Sequence, residues 1–200
     1  MTSTPSRPPS ADDGAFKAEL VTLIPHLRAF ARTLTGDPTS ADDLAQEAMM
    51  KAWDARASYQ MGTNMKAWTF MILRNQFYSE KRRSWRQTQL DQEAAERTLI
   101  AVDDPEAPVA LDELRQALQT LPEEQREALI LVGAGGFAYE EAAEICQCAV
   151  GTVKSRVSRA RQALQATLER GGYTRDGKSA GDAMRSILAD ADRLSGSGRR

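Results

Sequence analysis

The stretch YEEAAEICQCAVGTVKSRVSRARQAL, residues 139–164, decides the fold. Its first part predicts a short helix over residues 139–145, and Gln147-Cys148 predicts a tight turn. A longer helix should follow from Val150 to about Leu168, because apolar residues recur there at helical spacing: Val153, Val157, Ala160 and Leu164. A short helix, a tight turn and a longer basic helix form the helix-turn-helix pattern, which enters the major groove of DNA.

The apolar stripe fixes which side chains of the last helix point away from the core. Residues 145–168 hold basic side chains and no acidic one. Arginine and lysine can donate to guanine edges, and hydroxyls can donate to bases or phosphates. The alternative, that the arginines only solvate a surface helix, is disfavoured because they lack acidic i+4 partners. The residues expected on DNA are Thr152, Lys154, Ser155, Arg156, Ser158 and Arg159.

The composition describes an ordinary protein of one or two small domains. Its 200 residues carry 26 Lys and Arg against 28 Asp and Glu, and 42% are hydrophobic, which excludes collagen, coiled coil and wholesale disorder. No stretch approaches the roughly 20 apolar residues of a membrane span, and no signal peptide is visible, so we expect a cytoplasmic protein. The two cysteines, Cys146 and Cys148, are expected to be reduced and structural.

Charge is segregated along the chain, although the formal net charge is only −2. Two basic patches, one on the last helix and one from Arg74 to Arg86, flank an acidic stretch with Pro105 and Pro108 that predicts a linker. We therefore expect an all-α protein of two small helical domains joined by a flexible acidic linker. The predicted segments are a disordered N-terminus (1–15), a first unit (16–88), the linker (89–110), a second unit (111–170) and a mobile tail (171–200).

The first unit is predicted to be a three-helix bundle. Pro25 predicts either a kink in its first helix or the start of a new one, and Gly36 ends that segment. Ser40 is expected to cap the second helix, and Asn64 the third. The third helix mixes aromatic and basic residues, which suits separated DNA strands, although Trp68 is expected mainly in the core.

In the second unit, Thr120 is expected to cap a helix that has Pro122 in its first turn and Glu123 completing the capping box. Gly133–Gly136 is interpreted as a connection. The sequence contains no nucleophile elbow, no phosphate-cradling glycine loop after a strand and no cluster of metal-ligating residues. We therefore expect no enzymatic activity, no cofactor, no metal and no small-molecule substrate.

Three motifs of the first unit resemble region 2 of the extracytoplasmic-function (ECF) sigma factors of the sigma-70 family: DDLAQE (42–47), GTNMKAW (62–68) and FYSEKRR (77–83). The second unit resembles region 4 of that family through LP (121–122), GFAYEEAAEI (136–145) and AVGTVKSR (149–156). The resemblance covers residues 16–170. NMKAW (64–68), FYSE (77–80) and VGA (132–134) are also similar to the EcfG subgroup, the general stress response sigma factors.

The resemblance implies partners and a role for each surface. The helix after Gln147-Cys148 would read the minus-thirty-five element of a promoter. Core RNA polymerase, through its β′ clamp helices and its β subunit, would be the main partner, and the docking residues would be Asp42, Asp43, Gln46, Glu47 and Met50. The minus-ten element would be opened by Tyr59, Gln60, Met61, Asn64, Lys66, Trp68, Asn75, Tyr78, Arg82 and Arg83. A NepR-type anti-sigma protein would sequester the factor, and a PhyR-type response regulator would release it.

Two positions depart from the family pattern. Ser79 stands where many members carry Asp, and Gln147 occupies a turn where Gly is common, which would ask a non-glycine residue to adopt a left-handed conformation. The leading hypothesis is a sigma factor that directs promoter recognition, DNA opening and transcription initiation. The alternatives are a sigma-like decoy that binds an anti-sigma protein and a stand-alone helix-turn-helix regulator.

Overall fold

The computed structural model describes residues 11–90 and 109–170, and all regular structure within those ranges is helical. The all-α prediction is therefore confirmed, while residues 91–108 of the predicted linker and the predicted tail 171–200 lie outside the described residues. None of the described helices is both long and apolar enough to cross a bilayer. They are α1 (Ala11–Thr22), α2 (Ile24–Thr35), α3 (Pro38–Asp54), α4 (Met65–Leu90), α5 (Val109–Gln119), α6 (Glu123–Gly133), α7 (Tyr139–Cys146) and α8 (Val150–Arg170).

The first unit contains four helices, because Pro25 lies in the first turn of a new helix, α2. Gly36 ends α2 with a left-handed φ of 76°. The prediction that Ser40 caps the next helix is wrong: α3 begins at Pro38, and the Asp37 carboxylate accepts a hydrogen bond from the Ser40 N–H at 2.7 Å. A carboxylate is a strong cap and the fixed φ of proline suits the first helical position, so α3 starts earlier.

Residues 11–15, predicted as part of a disordered N-terminus, are the first turns of α1. Phe16 explains the earlier start, because its buried ring packs edge-on against Tyr59 at 5.7 Å and against Trp68 at 6.1 Å. Asp13 adds an ion pair with Arg56, with 3.1 Å between Oδ1 and Nε. The first unit therefore begins before residue 16.

The second unit contains the predicted helix-turn-helix in α7 and α8. Gln147 ends α7 in the left-handed conformation, with φ of 53°, which confirms the expected backbone at this position. The predicted cap of α6 is wrong, because the Thr120 hydroxyl donates to the Ala117 carbonyl at 2.7 Å and so closes the end of α5. Pro122 occupies the N-cap position of α6 instead, and its carbonyl accepts from the N–H groups of Gln125 and Arg126.

The two units share one hydrophobic core. Phe70 on α4 stacks on Phe30 of its own unit with ring centroids 4.9 Å apart. Phe70 also makes a T-shaped contact with Phe137, in the second unit, with ring centroids 5.0 Å apart. The sequence leaves the mutual placement of the units open, and in the structure they pack directly against each other.

We expect Gln147→Gly to raise the free energy of unfolding by about 1 kcal/mol, because glycine adopts the left-handed conformation without a Cβ clash. Urea denaturation followed by circular dichroism measures the change. The matched control is Gln162→Gly on the exposed side of α8, which should lower the free energy by about 1 kcal/mol. Destabilisation by Gln147→Gly would contradict the left-handed assignment.

Gly135→Ala should destabilise the protein by about 1–3 kcal/mol through overpacking. A Cβ at Gly135 would lie 2.7 Å from the Leu131 carbonyl oxygen and 2.9 Å from the Phe137 ring. Gly133→Ala is the control, since the nearest atom to a Cβ there is 4.0 Å away and the residue lies in α6. Thermal unfolding compares the two variants, and equal melting temperatures would refute the close packing.

Candidate nucleic-acid interface

The face of α8 predicted to read DNA lies opposite a buried stripe. Val153, Val157, Ala160 and Leu164 are all at most 1% exposed, as the periodicity predicted. Lys154, Ser158 and Arg159 are exposed, while Thr152 and Ser155 are half-buried. Lys154 lies over the Tyr139 ring of α7, with 5.7 Å from Nζ to the ring centroid. The exposed side of α8 therefore presents cations and a hydroxyl to solvent, the groups that read base edges in a major groove.

Arg156 differs from the other residues predicted to bind DNA. Its side chain is only 17% exposed and forms an ion pair with Glu124 of α6. The guanidinium also lies 3.7 Å from the sulfur of Cys148 in the turn. Arg156 thus ties the helix-turn-helix to α6.

The two cysteines are free thiols, one on each side of the left-handed residue Gln147. Cys146 is buried, and burial raises the pKa of its thiol to about 12. The Cys146 thiol is therefore protonated at neutral pH and unreactive as a nucleophile. Cys148 is half-buried against Arg156.

The polar face predicted to dock on polymerase lies on α3. Asp43, Gln46, Glu47 and Met50 are exposed, while Asp42 is half-buried and pairs with Arg28 at 3.2 Å. Beside this face runs an apolar groove between α1, α2 and α3, lined by Leu20, Val21, Ile24, Met49, Met50 and Trp53. Val21 is 49% and Met50 59% exposed, which is unusual for large apolar side chains. An apolar groove with a charged rim suits a helix of another protein.

The sequence analysis missed this groove. Its signal was available in Val21, an apolar residue that lies off the buried stripe of α1. Without knowing how α1 packs, Val21 could not be told from an ordinary surface residue, because single exposed apolar side chains are common. Only the neighbouring position of Met50, from α3, turns the two side chains into a patch.

Six of the ten residues predicted for the minus-ten element are exposed, and the other four are buried or half-buried. Six are exposed on the loop before α4 and along that helix: Gln60, Met61, Asn64, Asn75, Arg82 and Arg83. Tyr59 is buried, and its hydroxyl donates to the Thr63 carbonyl at 2.7 Å. The half-buried Trp68 packs on Tyr59 with centroids 5.0 Å apart. Tyr59 and Trp68 therefore support the loop from its buried side.

Three residues predicted for the minus-ten element touch the second unit. The Asn64 side-chain amide donates to the Glu141 carboxylate at 2.6 Å, and Lys66 Nζ donates to the Gly135 carbonyl at 2.8 Å. The Tyr78 hydroxyl donates to the Glu127 carboxylate at 3.2 Å. These contacts form one side of the interface between the units.

A buried ion pair lies at the centre of that interface. The Glu127 side chain is 0% exposed, and Arg74 Nε approaches Glu127 Oε1 at 2.6 Å. Burial raises the pKa of Glu127, and the Arg74 guanidinium opposes this shift. Arg74 also lies over the Tyr78 ring at 4.7 Å, and burial raises the pKa of the Tyr78 phenol. The carboxylate is thus held by a cation and a hydroxyl from the other unit.

Arg126, the neighbour of Glu127, crosses the interface in the opposite direction. It is 4% exposed and donates to Gln119 Oε1 at 2.6 Å and to the Leu34 carbonyl at 3.4 Å. Leu34 lies in the last turn of α2. The negative end of the helix dipole lies there, and it stabilises the nearby Arg126 cation. Sequence reasoning missed both Arg126 and Glu127; the signal was two adjacent charges beside the apolar run ALILV.

Comparisons with known proteins agree with this division. Residues 20–87 match the family Sigma-70 region 2, and residues 111–164 match Sigma-70, region 4. The ECF RNA polymerase sigma factor EcfG of Rhodopseudomonas palustris is 47% identical over 154 residues, which cover 77% of this chain and 85% of that protein. The ECF RNA polymerase sigma-E factor of Escherichia coli is 34% identical over 61% of this chain and 70% of its own length.

The fold is also found in solved structures. The sigma factor RpoE of Bartonella quintana, in a co-crystal with the anti-sigma factor NepR, superposes with a TM-score of 0.70 at 46% identity, covering 78% of this chain and 97% of that one. CnrH, in complex with the cytosolic domain of CnrY, shares the fold at a TM-score of 0.57 and 23% identity, over 80% of this chain and 93% of that one. With both sigma regions in order and a relative at 47% identity, the chain belongs to the ECF sigma factors of the sigma-70 family, the non-enzymatic subunits that direct transcription initiation.

Proposed function

We propose that this sigma factor serves the general stress response of its cell and that an anti-sigma protein of NepR type holds it in check. The 47% identity to an EcfG factor supports the first part. The second part rests on the 46% identity to a sigma factor solved in complex with NepR. The factor works in the cytoplasm, where core RNA polymerase and promoter DNA are its partners.

The α8 helix reads the minus-thirty-five element in the major groove. The observation that carries this assignment is the exposure of Lys154, Ser158 and Arg159 opposite a stripe that is at most 1% exposed. Arg159 and Lys154 donate to guanine edges, and Thr152, Ser155 and Ser158 supply hydroxyls to bases or phosphates. Arg156 contacts the DNA backbone once it has left Glu124.

The exposed face of α3 docks on the β′ clamp helices of core polymerase. Asp42, Asp43, Gln46 and Glu47 provide the charged and polar rim, and Met50 with the adjoining groove receives apolar side chains. The second unit contacts the β subunit. The acidic stretch 91–108, shorter at both ends than the predicted linker because residues 89–90 lie in α4 and 109–110 in α5, joins the two domains. The two domains can therefore reach the two elements of one promoter.

The loop before α4 and the exposed side of α4 open the minus-ten element. Gln60, Met61 and Asn64 are exposed residues of the loop. Asn75 lies on the same side of α4 as Arg82, seven residues later. An unstacked base is held by such polar and apolar side chains, while Arg82 and Arg83 hold phosphates. Tyr59 and Trp68 support the loop from within, and Lys66 and Tyr78 become available when their contacts to the second unit open.

A sigma-like decoy that never touches DNA is disfavoured by the exposed cations of α8, which such a protein would not need. A stand-alone helix-turn-helix regulator is disfavoured by the exposed polar face of α3 and its apolar groove. The two experiments below separate all three functions, because each tests one of these surfaces.

We expect Arg159→Ala to relax promoter choice at the minus-thirty-five element by about 1–3 kcal/mol, which is about fivefold to 150-fold in transcript yield. Multi-round transcription with core polymerase and a library of randomised promoters measures the effect. Arg161→Ala is the control: this exposed arginine flanks the reading face, so its loss should weaken all promoters alike. An unchanged promoter preference in Arg159→Ala would refute readout by α8.

Glu47→Lys should abolish binding to core polymerase while leaving the fold intact. Within the described part of the chain, Glu47 forms an ion pair with the exposed Lys51 of the same helix, at 3.4 Å, and such a pair contributes about 0.3–0.5 kcal/mol to folding. Fluorescence anisotropy with labelled factor and purified core polymerase measures the affinity. Glu19→Lys makes the same charge change on an exposed side of α1 and should bind normally. If Glu47→Lys bound core polymerase with full affinity, the hypothesis of a stand-alone helix-turn-helix regulator would be favoured.

A further inference from the structure

Tyr139 lies beside the DNA-reading face of α8 and takes no part in the functions proposed above. It is the first residue of α7, and its half-buried ring lies under Lys154, with 5.7 Å between the ring centroid and Nζ. The quadrupole of an aromatic ring attracts a lysine ammonium within about 6 Å of its centroid. Lys154 therefore has a preferred position that the protein itself provides.

The Tyr139 ring can restrain a lysine because its own backbone is anchored. Phe137, two residues earlier, is only 5% exposed. The Ala138 N–H donates to the Glu141 carboxylate at 2.9 Å, and the Ala138 carbonyl accepts from the Ala142 N–H at 2.9 Å. A tyrosine side chain has two torsion angles, so an anchored backbone leaves its ring little freedom.

The core also fixes where α7 lies relative to α8. Ala142 and Ile145 of α7 and Val153 of α8 are all at most 1% exposed. Lys154 directly follows Val153, so its Cα is held by a buried neighbour. What remains variable is the set of rotamers of the lysine side chain, and the contact with the ring selects among them.

Arg159, the other exposed cation expected to read bases, has no such support. It makes no ion pair, hydrogen bond or ring contact with the residues that the structure describes. It follows Lys154 by five residues, which is about 7.5 Å along the helix axis and about 140° around it. Base pairs are about 3.4 Å apart, so the two cations reach different base pairs. The reading face thus carries one restrained cation and one unrestrained cation.

We propose that Tyr139 is a positioning residue for promoter readout: its ring orients Lys154 toward the base pair that this lysine reads, whereas Arg159 becomes ordered only on DNA. A long side chain loses conformational freedom when it binds, and a side chain that is already restrained loses less. The inference rests on the proposed function of α8 for its consequence. The contact between ring and lysine is a property of the protein without DNA.

Nuclear magnetic resonance of the full-length factor tests the contact in the absence of DNA. Protons above the face of an aromatic ring resonate upfield, so the ε-methylene protons of Lys154 should lie upfield of those of Lys17, which is exposed on α1. Lys154→Arg assigns the resonance. Tyr139→Leu should abolish the shift and Tyr139→Phe should keep it. An unshifted Lys154 resonance in the wild type would overturn the inference.

Transcription with core polymerase from promoters randomised in the minus-thirty-five element tests the consequence. Lys154→Ala identifies the base pair that this lysine reads. Tyr139→Leu should weaken the preference at that same base pair by about two- to fivefold, and Tyr139→Phe should restore it. The preference at the base pair identified by Arg159→Ala should not change. Tyr139→Leu should have no further effect at the Lys154 base pair when Lys154 is already alanine.

Glu144→Ala, on an exposed side of α7, is the matched control and should change no preference. An equal loss at every base pair in Tyr139→Leu would indicate a structural or phosphate-binding role for Tyr139 and overturn the inference. A sharper preference would also overturn it, because the ring would then hold Lys154 away from DNA. A shifted Lys154 resonance together with unchanged preferences in Lys154→Ala and Arg159→Ala would instead refute base readout by α8, and the positioning role with it.

Discussion

The structure depends on how the carboxylate of Glu127 is satisfied. A charged side chain that is 0% exposed destabilises a fold unless a cation and hydrogen-bond donors surround it. Arg74 and Tyr78 of α4, in the other unit, supply a cation and a hydroxyl donor. The second unit must therefore lie where α6 faces the middle of α4, and this placement brings Glu123 to Lys81 and Glu141 to Asn64.

The sequence predicts those features whose causes lie close together along the chain. The stripe Val153–Leu164 follows from periodicity, the cap at Asn64 from one side chain, and the backbone at Gln147 from the turn that it must make. The starts of α3 and α6 are predicted wrongly because Asp37 and Pro122 compete for the same ends as Ser40 and Thr120. When two neighbouring residues can both begin a helix, their local preferences do not decide which one does, so the predicted boundary shifts by a few residues.

The contact between the units could not be predicted, because its partners are distant in sequence. Glu127 sits beside an apolar run, where its burial depends on Arg74, a residue 53 positions away. The groove beside α3 has the same origin, since Val21 and Met50 become a patch only when α1 and α3 pack together. Both features therefore belong to the tertiary level alone.

Phe70 gives the contact between the units a dependence on temperature. Its ring contacts Phe30 of its own unit and Phe137 of the second unit, so separation of the units would expose aromatic surface to water. Exposing apolar surface raises the heat capacity, and the free energy of separation is therefore a curved function of temperature. Apolar burial stabilises less on cooling, so the aromatic part of the contact is weaker in the cold. The ion pairs of the contact do not depend on apolar burial and do not weaken for this reason. The apolar and ionic parts of the contact therefore differ in how their strength changes with temperature.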